Sequence, residues 1–371
     1  MKHFPTRRQF AGLLALVLGI APQAGSQERY SMSGMVLDAE TGLPLANASV
    51  FIDKSLIGGV TDSSGTFAIT NVPPGTFNLL ASLIGYAAQK REITIAGESQ
   101  DQLVFKLRPT MLQGPEIVIT ADQDKRWRRD FEKFSGLLLS NTKNVEKTRI
   151  LNAHQLTFSE NEAGQFQATA RAPLVIENHA LGYRLDLVLS EFYATSQSLR
   201  YSGFTKFEEL APVSEEQSRQ WQKNRLRAYK GSLRHFLAII CDTLGHIESR
   251  LKEQGFEVFT FQKSWDRETR RIAEPVNWRT FFGRSKVANE IRLSFLDYLG
   301  IKYLHEFEER GFLRHHQFER EPRAQESWIK LGNAPIRLDR SGRYLDDAAI
   351  MKYGYWAWER LADMLPLEFK P

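Results

Sequence analysis

Residues 30–86 read YSMSGMVLDAETGLPLANASVFIDKSLIGGVTDSSGTFAITNVPPGTFNLLASLIGY, and this stretch decides the fold of the N-terminal part of the chain. Val50 with Ile52, Phe67 with Ile69 and Phe77 with Leu79 recur at period two, the spacing of half-buried strands. Asp62-Ser63-Ser64-Gly65 reads as a tight turn. The aspartate can accept backbone N–H bonds and the glycine supplies the positive φ of a bulged hairpin, so a hairpin is expected over 57–70. Pro73-Pro74-Gly75 and Thr41-Gly42-Leu43-Pro44-Leu45 interrupt the chain on either side, because proline cannot donate to a sheet ladder and glycine tolerates sharp reversal. Asp38, Asp53 and Asp62 are expected to cap turns rather than to hold calcium, which takes about six to eight oxygens and so needs a denser run of carboxylates. These readings predict an all-β sandwich over 29–108.

The same residues resemble the carboxypeptidase-regulatory-like domain, a transthyretin-like sandwich found beside metallocarboxypeptidase catalytic domains and at the N-termini of Bacteroidetes outer-membrane receptors. The resemblance implies a fold and a cell-envelope address, and as an accessory domain it brings no chemistry of its own. Residues 112–121, LQGPEIVITA, resemble the segment that follows this domain in TonB-dependent receptors and contacts the energy-transducing partner. About 250 residues follow, without the long series of alternating strands of a receptor barrel. A linker or extended strand over 109–127, packed on the sandwich, is therefore expected.

The first residues read as an export signal over 1–26. Lys2, Arg7 and Arg8 form a basic start, residues 11–20 an apolar core too short to span a bilayer, and Ala24-Gly25-Ser26 a cleavage site before Gln27. Thr6-Arg7-Arg8-Gln9-Phe10 also resembles the twin-arginine motif, so both export routes stay open. The expected location is the periplasm or the outer membrane. Removal of the signal leaves 345 of 371 residues and lowers the formal charge from +5 to +2, a near-balance that argues against a nucleic-acid partner. No later stretch reaches the ~20 apolar residues of a membrane helix, so no transmembrane segment is expected in the mature chain. Cys241 is the single cysteine. It excludes an intramolecular disulfide and a cysteine-based zinc cluster, and in its apolar run it reads as a small buried hydrophobe.

From Arg128 to the end the pattern is mixed, predicting an α+β domain over 128–371. Phe131, Phe134, Leu137 and Leu138 fall at helical spacing, and strands are expected over 155–159, 165–171, 183–192 and 199–204. Helices follow over 215–230, from an N-cap at Ser232 to about Asp242, and over 248–254, where Gly255 stops the last before a strand. PLVIENHALGY (173–183), NRLRAYKGSLRHF (224–236) and GYWAWERLADMLP (354–366) resemble the region that follows the sandwich in many Bacteroidetes envelope proteins of unassigned function. No established activity comes with that resemblance.

Carboxypeptidase chemistry needs a His-x-x-Glu pair, a distant histidine and a separate glutamate as base. His305 with Glu308 and His316 with Glu319 have the pair spacing without a distant third histidine downstream, so no metal is expected. There is no Gly-x-Ser-x-Gly elbow and no phosphate-binding loop. Asp346-Asp347 and Asp186 with Glu191 are candidate paired acids, read by default as solvated surface. A basic cluster of Arg225, Arg227, Tyr229, Lys230, Arg234 and His235 straddles Gly231-Ser232. It offers an anion a helix N-terminus and several cations, or else a basic face paired with acids elsewhere. Tyr353, Tyr355, Trp356 and Trp358 offer rings to a sugar, but beside Leu361 and Leu365 they read as core. The function expected is an exported, non-catalytic binding or assembly component of the bacterial envelope, without a cofactor, whose partner is an envelope protein or a glycan. A metallocarboxypeptidase-like hydrolase and an accessory of TonB-dependent uptake are the alternatives.

Overall fold

The computed structural model describes residues 28–110, 121–196, 198–242, 245–261, 276–285, 290–332, 334–345 and 349–371. The export signal, most of the 112–121 segment and the Asp346-Asp347 pair lie outside them.

Eight strands build the N-terminal sandwich: β1 (Tyr30–Asp38), β2 (Ser49–Ile52), β3 (Gly58–Val60), β4 (Thr66–Val72), β5 (Gly75–Ser82), β6 (Tyr86–Ala87), β7 (Gln89–Ile95) and β8 (Gln100–Pro109). They form two sheets, β4-β1-β8-β6 and β3-β2-β5-β7, with β1 parallel to β8 and antiparallel to β4. Met32, Val36, Val50, Phe67, Leu79 and Phe105 meet in the core between them. The turn at Asp62 forms as its residues dictate. Asp62 Oδ1 accepts from the N–H of Ser64 at 2.8 Å and of Thr66 at 2.9 Å, and Gly65 has φ +70°, where a Cβ would stand 2.7 Å from the Val36 carbonyl.

The expected hairpin over 57–70 does not form. β3 pairs with β2 and β4 with β1, so the turn hands the chain from one sheet to the other. Turn chemistry fixes a reversal, whereas the partner of each strand is chosen by which sheet needs its apolar face. A second departure is that β2 and β5 are buried on both faces rather than half-buried. Phe51 and Leu80, paired across the two strands, are 2% and 0% exposed beside the core-facing Val50 and Leu79, because the rest of the chain packs on that sheet.

The remainder has two further large cores and a small cluster of Phe312, Tyr355 and Trp358. In the first, α1 (Ala121–Leu139) packs on a sheet of β9 (Thr148–Ile150), β10 (Leu156–Glu160), β11 (Phe166–Ala170), β12 (Leu174–Asn178), β13 (Tyr183–Ala194) and β14 (Leu199–Glu209). α1 begins inside the segment expected to be linker or strand over 109–127. The long β13 takes β14 along one edge, and β12 and β11 in turn along the other. Helix α2 (Glu215–Tyr229) follows, with Ser214 accepting from the N–H of Gln217 as its N-cap.

In the second core, α3 (Leu233–Asp242) and α4 (Ile247–Glu253) pack on one face of a sheet ordered β15-β18-β19-β21. The elements here are β15 (Phe256–Phe261), α5 (Trp278–Phe281), β16 (Phe282–Arg284), β17 (Glu290–Leu293), β18 (Tyr298–Phe307), α6 (Arg310–His315), β19 (Ala324–Leu331), β20 (Ile336–Asp339), β21 (Ile350–Gly354) and α7 (Tyr355–Trp358). β16, β17 and β20 form a small separate sheet. Cys241 is buried in this core, and burial pushes its thiol up to about 12. The chain is thus an N-terminal β-sandwich followed by a mixed α and β region.

Backbone hydrogen bonds join the sandwich to the rest. Lys54 N–H donates to the Thr205 carbonyl at 2.7 Å, Phe207 N–H to Ser55 at 2.9 Å, and Thr205 N–H to Asp53 Oδ1 at 2.9 Å. Asp53 therefore ties β14 to the sandwich, a role its sequence setting did not suggest. Asp38 does cap, accepting from the N–H groups of Glu40 and Thr41 and from the Tyr86 hydroxyl.

Candidate functional site

The basic cluster around Gly231-Ser232 is occupied by the protein itself. Arg234 donates to the carbonyls of Pro366, Leu367 and Phe369 at 2.7, 2.8 and 2.9 Å. Ser232 Oγ accepts from the N–H of His235 as the N-cap of α3 and donates to Tyr229. His235 is buried, its Nδ1 accepts from the N–H of Gly231, and burial pulls its pKa down to about 4, so it is neutral at pH 7. Tyr229 is buried between His235 and Phe369, and Arg225 is bound to the carbonyls of Leu181 and Gly182 over the Tyr183 ring. Lys230 and Arg227 are exposed. Arg227 reaches Asn144 and the charges of Glu306 and Glu309. The geometry is that of a basic segment paired internally, and it forms no open anion pocket.

The two His-x-x-Glu pairs do not converge either. Glu308 is held by a bidentate ion pair with Arg320, His305 packs over Gly255, His316 stacks on Phe318, and Glu319 is exposed. Among the described residues no three His, Cys, Asp or Glu side chains are grouped so as to hold a metal ion. Asp186 pairs with Arg184, and Glu191 pairs with Arg200 beyond a bulge in β13. They are separate ion pairs on one strand, not a facing acid pair.

Four carboxylates gather instead where the two C-terminal cores meet. Burial raises Glu306 to about 7, with Arg227 pulling it back, and raises Glu309. Asp363 is raised to about 6 by burial, against hydrogen bonds from Thr142 and Asn144, and Glu359 is raised well above the carboxylate range. Asp363 and Glu309 also tie the junction, Asp363 accepting from Thr142 and Asn144 and Glu309 from the Lys143 N–H.

Of the aromatic run, Tyr355, Trp356 and Trp358 are core, at 2%, 3% and 4% exposed. Tyr353 belongs elsewhere. In β15, Phe256 and Val258 turn toward the helices, which by strand alternation sends Phe259 and Phe261 to the opposite face. There they meet Tyr298 of β18, Trp328 of β19 and Tyr353 of β21. Phe261 stacks on Tyr298 at 5.3 Å and Trp328 on Tyr353 at 6.0 Å, interplanar angles 16° and 6°. The two pairs cross at 75° (Phe261 to Trp328) and 65° (Tyr298 to Tyr353), and Phe259 adjoins Phe261. All five are half-buried, none belongs to a hydrophobic core of the described residues, and ring contacts link each of them to at least one other.

Two glycines make room for these rings. A Cβ on Gly300 would stand 2.4 Å from Phe259 Cε2, and one on Gly354, at φ +67°, would stand 2.5 Å from the Glu326 carbonyl and 3.0 Å from Trp328 Cζ3. Gly300 lies in register between Phe259 and Trp328, and Trp328 lies opposite Tyr353. One border is a cross-strand row of Glu257, Lys302 and Glu326. Lys330 stands 5.5 Å from the Tyr298 ring centre and Lys302 5.8 Å from that of Phe259. Sequence reasoning found Tyr353 and missed the other four. The available signal was the pair of aromatics two apart in β15, with the period of a second apolar face.

Residues 32–119 match the CarboxypepD_reg-like domain, and the N-terminal part of the chain carries that domain. No curated protein matches the chain. Among solved structures, the C-terminal domain of the shaft pilin SpaA from Lactobacillus rhamnosus GG is 17% identical, with 22% of this chain and 99% of that chain covered and a TM-score of 0.19. A DUF3823 family protein from Bacteroides ovatus is 10% identical over 50% of this chain and 82% of its own, TM-score 0.19. A protein of unknown function from Bacteroides fragilis is 10% identical over 50% and 84%, TM-score 0.17. Among the described residues no helix is long and apolar enough to cross a membrane.

Proposed function

We propose that the protein is an exported, non-catalytic binding component of a bacterial cell envelope, and that the five-ring face of the β15-β18-β19-β21 sheet is its binding surface. The observation that carries this reading is that Phe259, Phe261, Tyr298, Trp328 and Tyr353 form a contiguous patch outside every core. A sheet needs one apolar face to fold, and a second one kept as a contiguous patch marks an interaction site. Trp and Tyr also dominate binding energetics, since each offers a large rigid area with a polar tip. Export is supported by the basic, apolar and small-residue succession at 1–26, and envelope location by the regulatory-like domain.

The test is sedimentation of the purified mature chain with isolated Gram-negative envelope material. Wild type is expected to pellet with it and the Trp328→Ala/Tyr353→Ala double variant to stay in solution, both with the same circular dichroism. Equal pelleting of the two would defeat this reading.

A further inference from the structure

We infer that the ligand of the five-ring face is a neutral saccharide chain; the inference rests on the binding reading above and adds the chemistry of the ligand. Three properties of the face select it.

The first is charge. The border carries Glu257 and Glu326 on either side of Lys302, in register across three strands, and Lys330 at the Tyr298 ring. Among the described residues of these four strands, two acids and two cations beside the rings leave no net sign, which disfavours a phosphate backbone or an anionic lipid surface, since both require a basic excess. The second is the mixture of groups. Protein interface cores are rich in aromatic residues and Met and are depleted of lysine and acidic residues at the centre. Here tyrosine hydroxyls and the ammonium groups of Lys302 and Lys330 lie beside the rings. A sugar ring has the matching pattern: C–H faces that stack on aromatic rings, and hydroxyls around its edge that both donate and accept. The third is shape and stiffness. The patch crosses three inter-strand spacings, about 14 Å, the reach of a short run of linked sugars. Its rings are fixed by one another and by the space at Gly300 and Gly354, so little order has to be gained on binding.

The experiment is affinity electrophoresis of the full mature chain through gels containing hydroxyethylcellulose, xylan, galactomannan or polygalacturonate, together with envelope sedimentation after periodate or protease treatment of the envelope material. At least one neutral polysaccharide should retard the wild-type protein, to the same degree in low and high salt because no ion pair is screened. Trp328→Ala and Tyr353→Ala should each weaken that retardation up to about tenfold, the worth of one aromatic contact, and Trp328→Phe should restore most of it. Gly300→Ala, which removes no ring but displaces that of Phe259, should weaken it as well. Periodate should abolish sedimentation and protease leave it intact.

Retardation by no neutral polysaccharide together with periodate-resistant sedimentation overturns the proposal, as does retardation confined to polygalacturonate and lost in salt, or retardation unchanged in Trp328→Ala. Sedimentation that depends on Trp328 and Tyr353 but is destroyed by protease would reject the saccharide and leave the binding surface standing with a protein partner. Trp328→Phe guards against a variant that fails to fold.

Discussion

The sandwich sheet β3-β2-β5-β7 and the sheet β15-β18-β19-β21 each have a second apolar face, and they dispose of it in opposite ways. In the sandwich, Phe51 and Leu80 on that face are buried by the chain itself, with Asn78 Nδ2 donating to the Leu345 carbonyl. In the other sheet the second face carries rings that touch one another and stay half-exposed. Among the described residues, an apolar second face is thus fully buried in one place and half-buried in the other.

The sharpest way to break the comparison uses neighbours on β19. Ile329 is fully buried beneath α3 and α4, whereas Trp328 points to the aromatic face. Ile329→Ala should cost about 2–5 kcal/mol, the transfer and cavity cost of a core truncation. Trp328→Ala should cost about 1 kcal/mol, the scale of its ring contacts. Urea unfolding of both variants checks this, and equal losses would make the aromatic face a second core.

The sandwich provides the counterpart. Residues 28–110 expressed alone should give an all-β circular dichroism spectrum, because their core is nearly complete without the rest. Leu80→Ala should cost roughly 2–3 kcal/mol in the full chain and less than half of that in the fragment, where that face has lost its cover. Equal costs in the two contexts would show that Leu80 belongs to the sandwich core.

Carboxylates extend the contrast to pH. Asp38 and Asp62 are held below their ordinary values, Asp38 mainly by backbone N–H donors and Asp62 by the Ser64 hydroxyl and the Thr66 N–H, so their stabilisation is present above about pH 4 and lost as the pH falls below it. Glu306 and Asp363 are raised to about 7 and about 6. Between about pH 4 and pH 7 the folded state therefore binds more protons than the unfolded chain at these groups, and their contribution to stability falls as the pH rises. The slope is at most about 1.4 kcal/mol per pH unit for each proton. Thermal unfolding from pH 4.5 to 8 should show this decline, and Glu306→Gln should flatten its upper part. An unchanged profile in the variant would place the titration elsewhere.

The smallest effects belong to the histidines. His305→Ala and His316→Ala remove exposed rings and should each change stability by about 0.5 kcal/mol or less, with metal content of chelator-free protein at background. Stoichiometric zinc lost in either variant would restore the hydrolase alternative.

The sequence alone determined what is local. Asp62 and Gly65 specify their turn, Ser232 its helix cap, and Val50, Ile52, Phe67 and Leu79 their strands, because each depends on residues a few positions away. The strands expected over 155–159, 165–171, 183–192 and 199–204 are present for the same reason. Tertiary structure decided everything that needed a distant partner. It placed β3 and β4 in different sheets, gave Asp53 to Thr205, and committed Arg234 to three carbonyls of the C-terminal residues. It also brought Phe259, Phe261, Tyr298, Trp328 and Tyr353 into one patch from four strands spread over nearly a hundred positions. Alternation along a strand tells which side chains share a face, but strand order and register decide which faces meet and which stay open.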